Sequence, residues 1–170
     1  AHGRDGRLQR EYIAVVWGVP ERNQGTISAN LARSTANRQK IAVSKAASAR
    51  EAITHFEVVR SFGTPPVASL LRCHLETGRT HQIRVHMAHM GNPLLGDGTY
   101  GSGFKSSTAK LSDDARPALN LLRRQALHAA VLGFEHPRTG KPLHFESPAP
   151  DDLARLLRAL EGKSRPSDKL

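Results

Sequence analysis

Arg84 is the residue on which chemistry can be built. It lies in Leu-Glu-Thr-Gly-Arg-Thr-His-Gln-Ile-Arg-Val-His-Met-Ala-His-Met-Gly, residues 75–91, followed by Asn-Pro-Leu-Leu-Gly-Asp-Gly-Thr-Tyr-Gly to residue 101. The pattern predicts a helix over 80–90, entered after a turn at Thr77 and Gly78. Gly91 stops it where a left-handed cap is wanted. Ile83, Met87 and Met90 fall at i, i+4 and i+7 and make one apolar face that can lie on a sheet. Arg84 sits between that face and the solvent side, so it can reach under the helix towards a partly buried pocket. A guanidinium there requires an anion.

Other reactive side chains give less. A zinc site needs three or four converging ligands, and His81, His86 and His89 spread over a wide arc of the predicted helix, so no metal site is expected. Cys73 is the only cysteine. It rules out an intrachain disulfide and a cysteine-rich zinc site, and it falls on the apolar side of a predicted strand as a small core residue. There is no Gly-x-Ser-x-Gly elbow and no Gly-x-x-x-x-Gly-Lys-Ser/Thr phosphate loop.

Charge narrows the partner. The 170 residues carry 25 Lys and Arg against 15 Asp and Glu, a formal net charge of +10. Such a surface favours a polyanion, RNA or DNA, or failing that an anionic membrane surface. No apolar run approaches a membrane span and no signal-peptide pattern appears, so a cytoplasmic protein is expected. From residue 33 to residue 50 come Arg33, Arg38, Lys40, Lys45 and Arg50, with no acidic residue before Glu51. This is either a solvated loop or short surface helix, or an arm that contacts phosphates without reading bases. The three clustered histidines are read as structural or RNA-facing, and His128 as orienting backbone or RNA.

The elements that must position these residues follow from period and punctuation. Tyr12 to Trp17 is apolar on both faces and predicts a strand covered on both sides. A weakly alternating strand is expected over 26–33. Alternation over 52–60 and 67–75, separated by Gly63-Thr-Pro-Pro66, predicts an antiparallel hairpin feeding the Arg84 segment. A loop to Lys110 is followed by a short helix from Asp113. A second hairpin comes from 126–135 and 142–146. Leu153, Leu156, Leu157 and Leu160 stripe a terminal helix over 151–160. The expected architecture is α+β, a largely antiparallel mixed sheet with flanking helices. Residues 1–8 are expected to be a disordered or truncated start, 9–160 the domain, and 161–170 a flexible tail.

These residues resemble the RluA-type RNA pseudouridine synthases. The stretch from Leu75 to His86 matches that family's long motif, with Gly96-Asp97 and Tyr100-Gly101 closing it. Tyr12-Ile-Ala-Val-Val-Trp-Gly18 is similar to its tyrosine motif, and 52–58, Leu127-His-Ala129 and His136-Pro137 to its later landmarks. The match covers about residues 9–152. The resemblance implies a pseudouridine synthase-like catalytic domain that isomerises uridine to pseudouridine in ribosomal or transfer RNA, with no cofactor and no metal. It implies that Arg84 sits beside a catalytic aspartate and holds its pKa down. It further implies that Tyr12 packs its ring on a flipped-out base. Arg79, His81, Gln82, Arg33, Arg38 and Lys40 are the expected RNA contacts.

The family's aspartate lies in a His-Arg-Leu-Asp motif some 30 residues before the tyrosine, and no such motif occurs here. Asp97 is expected to be a turn or cap residue. The expectation is therefore the C-terminal part of a catalytic domain, inactive alone, whose Arg84 would meet a carboxylate from outside these residues. The rival expectation is a non-catalytic RNA-binding or assembly module of the same fold.

Overall fold

A central strand that is apolar on both faces from Tyr12 to Trp17 organises the chain. The structure, a computed structural model, describes residues 8–135 and 138–168. Of the expected start at 1–8, residues 1–7 lie outside the described residues, as does the His136-Pro137 landmark, while Leu8 already belongs to a strand. Strand β1 (Leu8–Trp17) lies between β6 (Ala68–Leu75) and β7 (Leu127–Glu135). Outside β6 come β5 (Ile53–Phe62) and then β2 (Gln24–Ser28); outside β7 comes β8 (Pro142–Glu146). Every pairing in this six-stranded sheet is antiparallel. The β5–β6 and β7–β8 hairpins are the two that alternation predicts. Residues 26–33 do not form one strand: they divide into the end of β2 and the whole of β3 (Leu31–Arg33).

Alternate residues of β1 build two cores. Ala14, Val15 and Val16 are fully buried. Ala14 and Val16 join Phe56, Leu71, Cys73 and Leu94 on one face, where Ile83 and Met87 of α1 (Gln82–Met90) pack down. Val15 and Trp17 on the other face meet Ala118, Leu119 and Leu122 of α2 (Ala115–Leu122) and Leu153 and Leu156 of α3 (Asp151–Leu160). Each fully buried Leu, Ile or Met is worth roughly 1.5–3 kcal/mol of transfer free energy, so both faces drive the layering.

α1 begins two residues later than expected and ends as the sequence predicts. Gly91 has φ 92°, its amide bonds the Ala88 carbonyl, and Asn92 N–H bonds the Met87 carbonyl. These are the two bonds of a Schellman stop.

The basic segment is neither a helix nor a plain loop. Leu31–Arg33 and β4 (Ile41–Val43) form a small antiparallel hairpin. It is anchored by buried Leu31, Ala52 and Val85, with Ile41, Val43 and Tyr100 packed against them. Three-residue strands show no period in a sequence, and only this tertiary anchor holds them.

Residues 161–168 also differ from the expected flexible tail. Asp168 in the turn Pro166–Asp168 accepts Arg158 Nε at 2.9 Å and Nη2 at 2.6 Å, and the Arg165 amide at 2.8 Å. A fork of this kind ties Asp168 to α3 although the segment has no apolar pattern.

Candidate active site

The anion that Arg84 requires is within this chain. Arg84 Nε donates to Asp97 Oδ2 at 2.8 Å and Nη2 to Oδ1 at 2.9 Å. The Asp97 side chain has no exposed surface and that of Arg84 only 13%. Asp97 Oδ1 also accepts the amides of Thr99 and Tyr100, each at 3.0 Å. So Asp97 is the turn residue the sequence suggests, and it is also the partner that was expected from elsewhere. Burial alone would raise its pKa. The Arg84 donors, with the Tyr100 and Thr99 amides, outweigh burial and hold the carboxyl below its usual range.

Tyr100 completes the mounting. Its ring lies under the guanidinium, 5.0 Å from Arg84 Cζ to the centroid. Its hydroxyl accepts the Ile41 amide at 3.0 Å and stands 2.7 Å from His81 Nδ1. The hydroxyl can accept the Ile41 amide and still either donate to or accept from Nδ1, so the direction of this bond follows the His81 tautomer. Burial and then the Arg84 charge lower the His81 pKa, against the pull of Asp97. His81 itself adopts φ 55°, the left-handed region that non-glycine residues seldom occupy. Nε and Nη2 of Arg84 are thus both committed to Asp97.

Beneath α1 runs a directed chain of buried polar groups. Ile53 N–H donates to Thr77 Oγ1 at 2.9 Å, and Thr77 donates to Gln82 Oε1 at 2.7 Å. Gln82 Oε1 also takes the Arg79 amide at 3.0 Å, while Nε2 donates to the Ile53 carbonyl and to Thr54 Oγ1, both at 3.0 Å. Thr54 Oγ1 is 2.8 Å from His86 Nδ1, and His86 Nε2 is 2.8 Å from the Ala29 carbonyl. This corrects the expectation for Gln82. It is 2% exposed with every polar atom engaged, so it cannot meet RNA. Its work is to fasten α1 to β5.

The other expected residues separate. Tyr12 packs against the cluster of Ile83 and Met87, on the face of the sheet that α1 covers. It follows a register shift against β7 at Glu11/Tyr12. Arg33, Arg38 and Arg79 line one groove, together with Arg50 from the end of the basic segment. Lys40 lies at the hairpin end, where Ser34 N–H bonds its carbonyl. His86 is in the core, His89 is exposed, and His128 Nε2 bonds the Ser147 carbonyl at 2.9 Å. Among the described residues no three His, Cys, Asp or Glu side chains converge as metal ligands would. Cys73 is buried and its thiol pKa is pushed up to about 12, so it stays protonated and inert.

Gly96, Gly98 and Gly101 have the Gly-x-Gly-x-x-Gly spacing of a dinucleotide loop, but the setting is wrong. No parallel βαβ unit surrounds them. Their reason is local: Gly96 has φ 78°, and a Cβ there would lie 2.2 Å from the Arg124 carbonyl oxygen. That contact sets Asp97 in place under α1.

Comparison with known proteins now decides the family. The RNA pseudouridylate synthase model matches residues 2–89, just over half of the chain. The chain belongs to the RNA pseudouridylate synthase family. Among members, it is 44% identical over 156 residues to "Ribosomal large subunit pseudouridine synthase D" of Zymomonas mobilis, covering 92% of this chain and 46% of that protein. It is 42% identical over 158 residues to an uncharacterized RNA pseudouridine synthase of Chlorobaculum parvum, covering 91% and 47%. The chain thus spans about half the length of the curated relatives it matches. The fold is that of human RNA pseudouridylate synthase domain containing 1, with a TM-score of 0.67 at 22% identity, covering 96% of this chain and 70% of that one. Within this chain, Tyr12, Gln82 and Arg84 fall inside the matched segment, whereas Asp97 and Tyr100 lie beyond it. No helix among the described residues is long and apolar enough to cross a membrane.

Proposed function

We propose that this chain supplies the Arg84 and Tyr12 side of the active site of a pseudouridine synthase acting on ribosomal RNA of the large subunit, in the cytoplasm. The observation that carries the proposal is the state of Arg84. Two of its donors are locked on Asp97 and its plane is fixed on Tyr100, so that Nη1 would meet one more anion. A guanidinium mounted in this way costs no reorganisation when a reacting carboxylate meets it.

In the reaction the N1–C1′ bond of uridine breaks, the detached base turns, C5 bonds to C1′ and loses its proton, and N1 takes up a proton, so that the product is an isomer of the substrate. The bases and sugars exchange no electrons with any other reagent. The aspartate that the family resemblance assigns to the ribose step is not among residues 1–170. Arg84 Nη1 would hold that carboxylate ionised and oriented. Tyr12 would lay its ring against the turned base, and its hydroxyl would take a proton. The choice of ribosomal over transfer RNA is supported by relatives such as the ribosomal large subunit pseudouridine synthase D of Zymomonas mobilis.

The test is to incubate protein carrying this chain with unmodified large-subunit RNA and map pseudouridine at single-nucleotide resolution. A longer protein with a His-Arg-Leu-Asp segment is expected to convert specific uridines, and residues 1–170 alone to convert none. Conversion by residues 1–170 alone would show that another group does the carboxylate's work.

A further inference from the structure

One arginine on the far side of the sheet has no partner for its innermost nitrogen. α2 and α3 cover the face opposite α1, and between them and the Pro166–Asp168 turn lies a cavity of about 260 Å³. Arg155 of α3 lines it. Its side chain is 27% exposed, yet its Nε is buried and, among the described residues, is the buried side-chain polar atom without a hydrogen bond. A buried donor without an acceptor costs stability, and folded proteins keep few of them. Arg155 takes no part in the chemistry of Arg84, so its missing acceptor belongs to this cavity.

The carboxylates around it are not equivalent. Asp168 stands 4.0 Å from Arg155 Nε, too far for a hydrogen bond, and its oxygens already take the Arg158 fork and the Arg165 amide. Asp113 pairs with Arg116. Asp114 also lines the cavity and is exposed, makes no side-chain cap on α2, and enters no ion pair among the described residues. One cation and one anion are therefore left unmatched around one concavity. Apart from Ser164 the rest of the lining is apolar: Pro117, Ala118, Leu121 and Ala159. Leu121 is 37% exposed, whereas Leu119 and Leu122 on the same helix are buried.

We propose that this cavity binds a small free amino acid with an aliphatic body, its carboxylate on Arg155, its ammonium on Asp114 and its apolar part against Pro117 and Leu121. The guanidinium fork suits a carboxylate. A simple anion would meet the Asp113 and Asp114 charges, and a simple cation would leave Arg155 Nε unpaired, so only an occupant carrying both charges satisfies the lining. The volume lies below the roughly 300–1,000 Å³ of sites that enclose drug-sized ligands, which suits a molecule of this size. Three carboxylates line the cavity and repel a phosphate backbone, so this site stands apart from the RNA and from the reading of Arg84.

The test is calorimetric titration of the protein with L-leucine and with 5-aminopentanoate, which carry the two charges close together and far apart. At least one of them is expected to bind with a Kd of about 10 mM or tighter. Acetylating the amine or amidating the carboxylate of that ligand should weaken it at least about tenfold, with the protein unaltered. Arg155→Gln and Asp114→Asn should each weaken the unblocked ligand by a similar factor. Neither substitution removes a side-chain hydrogen bond among the described residues. Absence of saturable binding by both amino acids, equal binding of the blocked and unblocked forms, or unchanged affinity in either variant would each overturn the site.

Discussion

Arg84 and Asp97 face each other as a two-bond fork, Nε to Oδ2 at 2.8 Å and Nη2 to Oδ1 at 2.9 Å, across the junction between α1 and the turn that follows it. The pair has a consequence for stability as well as for chemistry. Removing one partner of a buried ion pair leaves the other uncompensated and typically costs about 3–5 kcal/mol. Asp97→Ala is expected to lose at least about 3 kcal/mol in urea unfolding. A loss below about 1 kcal/mol would mean that the fork is open to water.

The acid limb of the stability profile carries the same signature. The folded pKa of Asp97 is depressed, so its contribution is complete above the unfolded carboxyl value near about 3.9 and is lost as pH falls through the folded value. Asp97→Asn is expected to flatten the acid limb in unfolding curves taken from pH 5 downward. An acid limb of unchanged slope would assign it to other carboxylates.

His86 adds a second limb nearer neutrality. Burial lowers its pKa, the Ala29 carbonyl pulls the other way, and the His89 charge adds to the lowering. Below an unfolded value near about 6.5 the unfolded chain binds the extra proton first, so stability is present above that pH and falls as pH drops. Melting temperature is expected to decline from pH 7.5 to pH 5. His86→Gln should be less stable at pH 7.5 yet decline less steeply, with His81 supplying a residual slope of the same sign.

Two glycines separate backbone strain from steric exclusion. Gly91 and Gly96 both have left-handed φ, 92° and 78°. A Cβ at Gly91 meets nothing within 4 Å, whereas at Gly96 it would meet the Arg124 carbonyl oxygen at 2.2 Å. Gly91→Ala is expected to cost about 1 kcal/mol of strain. Gly96→Ala should cost about 3 kcal/mol or more, because backbone must move. Equal melting temperatures for the two variants would contradict the close approach.

These pairings mark where the sequence is readable and where it is not. β1 is legible because its apolar residues run unbroken across both faces, and Gly91 because a glycine after a helical stripe has one common use. The need of Arg84 for an anion follows from its place on the helix. That Asp97 meets it does not, because 13 residues and a glycine-dependent turn at Gly96 separate them. Gln82 looks like a solvent-side polar residue until the turn at Thr77 and strand β5 close over it. The β3–β4 hairpin is too short to show a period, so its arginines read as a charge run rather than as one wall of a groove. Tyr100 is visible as a motif residue, but its role as the joint between Ile41, His81 and Arg84 exists only in three dimensions.

The central claim is that Arg84 stands at the reacting carboxylate, mounted by Asp97 and Tyr100. The most direct measurement is the single-turnover rate of pseudouridine formation in large-subunit RNA, comparing the intact protein with its Arg84→Ala variant. Loss of one preorganised electrostatic contact at a reacting group is expected to slow the step by about 10²–10³-fold, with RNA affinity little changed. A variant that forms pseudouridine at the parent rate would contradict the account.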